Sequence, residues 1–105
     1  MNISISGELG DTTLLFPSLK ALGGGSIYGV NRPWTRPGFD KRILALKRLG
    51  ESQSYINYIG PHQGERIDLD ASPFRRHGLL TGQTIVDRIA RFCRAKVEYS
   101  TPWLE

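Results

Sequence analysis

A chain of 105 residues, 39% hydrophobic and 23% charged, has the composition of one ordinary globular domain, and such a domain buries roughly 60–70% of its unfolded surface. This composition excludes a disordered chain, no apolar run approaches the roughly 20 residues of a membrane span, and the single cysteine, Cys93, excludes an intrachain disulfide. A net charge of +4 permits attraction to phosphates, nucleic acid or an anionic surface but selects none of them, and the amino terminus carries no secretory pattern, so a cytoplasmic location is expected.

In chain order, Ile3 and Ile5 alternate with Ser4 and Ser6, the period of a strand with one apolar face over residues 2–6. Gly7 and Gly10 bracket a turn, and Asp11, Thr12 and Thr13 read as the start signal of a helix over about Thr12–Leu22. Leu15, Leu19 and Leu22 mark its apolar face, and Pro17 is expected to be absorbed near its start. A strand that feeds a helix through a glycine turn presents unbonded N–H groups and a positive helix end. Gly7, Gly10, Thr12 and Thr13 are therefore candidate contacts for an anionic ligand. The turn lacks the Gly-Lys-Ser/Thr of a P-loop and the three glycines of a dinucleotide site, and a tight connection with a capping aspartate is the plainer alternative.

Gly23-Gly24-Gly25 ends the helix, with one glycine as a left-handed cap and the others loosening the link. A second strand follows over 26–30, and strand–helix–strand implies a right-handed parallel unit. Arg32, Trp34 and Arg36 interleave in the proline-rich stretch 31–38. Cations beside an aromatic can grip a phosphate or a sugar face, whereas a tryptophan packed on the sheet edge between solvated arginines accounts for the same residues. Helix two is expected over Phe39–Glu51, and strands near 55–59 and 66–69.

His62, His77, Asp68 and Asp70 match no compact ligand spacing, so neither metal nor cofactor is expected. Alternation places Asp68 and Asp70 together on a solvated strand end, with Ile67 and Leu69 toward the sheet. Helix three is expected over about Thr84–Lys96. It carries Ile85, Ile89, Phe92 and Cys93 on its buried face, Arg88, Arg91 and Arg94 as a basic stripe, and an Asp87–Arg91 pair one turn apart. The fold class is α/β: a small Rossmann-like, mostly parallel sheet flanked by helices, forming one domain.

Gly10-Asp11-Thr12-Thr13-Leu14-Leu15-Phe16-Pro17-Ser18-Leu19 resembles the Gly-Asp-x-x-x-x-x-Pro-x-Leu opening of the heptosyltransferase-like glycosyltransferases and their phage and bacterial relatives. Gly23-Gly24-Gly25 resembles the glycine stretch that precedes their second strand. The resemblance is sharp over about a dozen residues at this opening and diffuse beyond it. It implies that Asp11 is the general base toward an acceptor sugar hydroxyl. It also implies a sugar or nucleotide-sugar ligand, and a second lobe or partner chain that carries much of the donor site. On that reading residues 1–105 are the amino-terminal, acceptor-side lobe, inactive alone.

Three functions are therefore carried forward. The first is the acceptor-side lobe of a nucleotide-sugar-dependent transferase. The second is a nucleotide- or phosphate-binding module that keeps the turn without the reaction. The third is a structural or nucleic-acid-binding protein that uses Arg75, Arg76, Arg88, Arg91 and Arg94. Nucleic acid is the least expected partner, because solvated helix flanks give the same arginine pattern.

Overall fold

The structure, a computed structural model, describes residues 1–6, 9–31, 37–73, 84–98, 102 and 104. Strand β1 (Asn2–Ile5) is followed by α1 (Leu9–Ala21), β2 (Gly25–Gly29), α2 (Phe39–Glu51), β3 (Ile56–Pro61), β4 (Leu69–Asp70) and α3 (Ile85–Cys93). The four strands form one sheet in the order β3-β2-β1-β4, and every pairing is parallel. The architecture is thus the expected small Rossmann-like α/β fold. No helix among the described residues is long and apolar enough to cross a membrane.

The register divides the sheet into two unlike faces. Ile3, Ile5, Ile27 and Ile59 lie side by side on one face. They join Leu15, Phe16 and Leu19 of α1, Ile43 and Leu46 of α2, and Ile89 and Cys93 of α3 in a single core. Helix α1 packs against both α2 and α3, so all three helices share one layer on this apolar face. The opposite face carries Asn2, Ser4, Ser26, Tyr28 and Asp70. It is crossed by residues 62–68, the connection from β3 to β4. His62 packs edge-on against Tyr28 with ring centroids 6.2 Å apart, and the Asn2 side-chain amide donates to the Arg66 carbonyl at 2.8 Å. An all-parallel sheet ordinarily has helices on both faces. Among the described residues a short strap stands where the second helical layer would be.

Helix α1 begins three residues earlier than the start signal suggests, so Gly10, Asp11, Thr12 and Thr13 all lie inside it. Gly10 has no positive φ and belongs to the helix rather than to a turn. Pro17 sits in the middle of α1, buried, not near the helix start. It removes the N–H that would bond to the Thr13 carbonyl, a loss tolerated because the surrounding residues pack into the core. The carboxyl end of α1 is a Schellman cap: the Gly24 N–H donates to the Leu19 carbonyl at 2.9 Å and the Gly23 N–H to the Lys20 carbonyl at 3.1 Å. The glycine triplet tightens the link instead of loosening it. A Cβ on Gly24 would stand 2.6 Å from the Tyr55 carbonyl oxygen, and one on Gly25 would stand 2.0 Å from that of Met1.

Strand β3 contains a bulge opposite Gly25–Ser26. It lets Ile56 and Ile59, three apart, both reach the interior while Tyr58 turns to the helix-free face. Helix α3 opens on a reciprocal capping box: Thr84 Oγ1 accepts from the Asp87 N–H at 3.1 Å, and Asp87 Oδ2 accepts from the Thr84 N–H at 3.3 Å. The helix stops at Cys93, with Arg94 in the left-handed conformation at φ 55. Arg94 therefore caps the helix and does not extend the stripe begun by Arg88 and Arg91. Lys20 Nζ, in the last turn of α1, donates to the Pro102 carbonyl at 2.7 Å.

Candidate functional site

The chain leaves β1 toward β2 and β3 on one side and returns to β4 on the other. The order of strands therefore reverses between β1 and β4, and the carboxyl ends of these two strands form the crevice where open α/β sheets take ligands. Two structures meet at this rim, the first turn of α1 and the turn that follows β4.

The first turn of α1 holds Gly10, exposed, then Asp11 and Thr13, half-buried, and Thr12, 1% exposed. The leading N–H groups of a helix have no carbonyl one turn back to bond, and the helix dipole adds a positive end. Four of the residues singled out in the sequence are thus brought together, on helix rather than loop. Gly7, Arg32 and Trp34 lie outside the described residues, as do Arg75, Arg76 and His77.

The turn after β4 is organised by Asp70. Its Oδ1 accepts from Ser4 Oγ at 3.0 Å and from the Ser72 N–H at 3.1 Å, which ties β4 to β1 and shapes the exit of the chain. The hydroxyls of Thr12 and Ser72 are buried and have no hydrogen-bond partner among the described residues. An unmet buried hydroxyl costs about 1–3 kcal/mol, so these two groups are unspent hydrogen-bonding capacity, one on each of the elements that form the rim.

Ser72 is a rim residue that the sequence did not disclose, and Asp70, expected at a solvated strand end, is tied to Ser4 instead. The Ser4–Asp70 contact joins positions 66 apart and exists only because β4 pairs with β1. Asp68, two positions before Asp70, bonds to a different group of β1, for its Oδ2 accepts from the Asn2 N–H at 2.8 Å. Among the described residues no group of three His, Cys, Asp or Glu side chains is placed to hold a metal. Cys93 is buried in the core as expected, and burial pushes its thiol up to about 11, which keeps it protonated and unreactive near neutral pH.

The rim thus brings a carboxylate and helical N–H groups to one end of the sheet, a set suited to a phosphate or a polyhydroxylated ligand. Comparison of the chain with protein families, with curated proteins and with solved structures gives no match.

Proposed function

We propose that the chain is the acceptor-facing lobe of a nucleotide-sugar-dependent sugar transferase. The observation that carries the reading is the position of Asp11, in the first turn of α1 beside the reversal point of the sheet. A carboxylate there can take the proton from an acceptor hydroxyl while the oxygen attacks the anomeric carbon and the nucleoside diphosphate departs. The N–H groups of the same turn hold the acceptor or a phosphate it bears. The described residues form one sheet with one layer of helices. The donor is therefore assigned to a second unit, and in-line positioning of two substrates supplies roughly 7–11 kcal/mol that one lobe forgoes. A phosphate-binding module without chemistry is the second reading, since anion binding at a helix end requires no reaction.

The test follows backbone amide resonances while glucose 1-phosphate and UDP-glucose are added, with free glucose as control, and then measures sugar transfer. We expect saturable shifts at Gly10–Thr13, no appreciable transfer by residues 1–105 alone, and a loss of about 10²–10⁴-fold in the assembled enzyme on Asp11→Asn with folding intact. No shift in α1 with either phosphate probe refutes the reading. Shifts at α1 combined with transfer indifferent to Asp11→Asn leave only the binding module.

A further inference from the structure

Helix α2 packs on β3, the edge strand of the sheet, with α1 beside it. Lys47 marks the flank of the helix that looks outward past this edge, because its Nζ reaches the ring of Tyr58 on β3, 5.3 Å from the centroid. On the same flank Asp40, Leu44 and Arg48 follow at intervals of four, with Glu51 one turn further on, and all four are exposed. Leu44 is the most exposed large apolar side chain among the described residues, at 50%. Asp40 and Arg48 stand two turns apart, too far to pair with one another, and neither makes an ion pair among the described residues. The stripe thus has an apolar centre with unlike charges at its two ends.

We propose that this stripe is the contact surface for a second copy of the chain, with the two α2 helices antiparallel and Leu44 against Leu44. The charges are self-complementary in that arrangement. Positions 40 and 48 each lie about 6 Å along the helix axis from Leu44, in opposite directions. A two-fold axis beside Leu44 therefore sets Asp40 of each copy opposite Arg48 of the other, and two ion pairs flank one apolar contact. The positive start of each helix also comes to lie beside the negative end of the other. Asp40 and Glu51 balance Lys47 and Arg48, so the stripe is neutral on a chain of net charge +4. A uniformly acidic or basic partner gains no net attraction there, and a second copy meets no net repulsion. The same axis turns the two β3 edges toward each other, where among the described residues β3 has a strand neighbour, β2, on one side only. This edge is the one away from β4, so the rim that holds Asp11 stays open in both copies.

The test is sedimentation equilibrium of the full chain at low salt, from about 10 μM to about 1 mM. We expect a reversible dimer, weakened about tenfold or more by Leu44→Asp, by Asp40→Arg or by Arg48→Asp. The decisive arm mixes the two charge variants. Each alone sets like charges against its own copy, whereas the mixture completes both ion pairs and should form a heterodimer, a result that loss of folding cannot produce. All three positions are exposed, so the fold should survive each substitution, and circular-dichroism melts check this. A chain that stays monomeric to about 1 mM leaves the stripe to a different protein and overturns the proposal. A dimer indifferent to all three substitutions, or charge variants that fail to associate on mixing, overturns it as well. The role of Asp11 rests on its own experiment in each case.

Discussion

Glu65 holds the strap together by folding back on it. Its Oε1 accepts from the Gln63 N–H at 2.6 Å, and its carbonyl meets His62 Nε2 at 2.8 Å. The bond from the Gln63 N–H, followed by that from its own N–H, lowers the carboxyl below the ordinary glutamate value, and His62 adds a smaller pull in the same direction. Because the folded value is the lower one, the contribution to stability is present above the ordinary glutamate pKa. It is lost as pH falls through the folded value. The Gln63 amide resonance should therefore titrate with a midpoint below that of a solvated glutamate, and the titration should vanish in Glu65→Gln. A midpoint at the ordinary value would show that the bond does not persist in solution. Asp68 and Asp70 make the same point about individual residues: two identical letters on either side of Leu69 serve different groups of β1, one the Asn2 backbone N–H and one the Ser4 hydroxyl.

Among the elements, α3 is one whose start depends on a single side chain. It is short, and Thr84 satisfies an N–H that the helix itself cannot. Thr84→Ala should cost about 1 kcal/mol in a denaturant titration, and Thr84→Asp should restore most of it. An unchanged midpoint would mean that α3 is held by its apolar face alone. Legibility differed between helices for a related reason. Helix α2 occupies the span that its pattern implies, because Phe39, Ile43 and Leu46 recur on a buried inner face, although Leu44 and Leu49 of the same pattern are exposed. Helix α1 is buried on most sides, between the sheet, α2 and α3, so its periodicity is weak, and Asp11-Thr12-Thr13 imitated a cap from inside the first turn. The bulge in β3 was hidden in the run from Tyr55 to Ile59, where apolar residues two by two fit neither period. At the candidate site, Asp11 and its neighbours could be read locally, whereas Asp70 and Ser72 needed a strand pairing between distant parts of the chain.

At the scale of the whole molecule, β1, α1, β2, α2 and β3 follow one another within residues 2–61, each strand beside its predecessor in the chain. Strand β4 is different: two residues long, at the sheet edge, reached by a connection that passes over two other strands. Its pairing with β1 joins positions 66 apart, so bringing them together is entropically costly, and few contacts reward it. Native-state hydrogen exchange should find the Asp68 and Ala71 amides, which bond to the Asn2 and Ser4 carbonyls, opening at lower free energy than the Ser26 amide on β2. Equal opening energies would make the sheet one cooperative unit. If β4 does breathe independently, the rim between β1 and β4 exists only in molecules whose edge is latched. Affinity at the rim is then scaled by the latched fraction, and a ligand held there acts as the catch that keeps the edge shut.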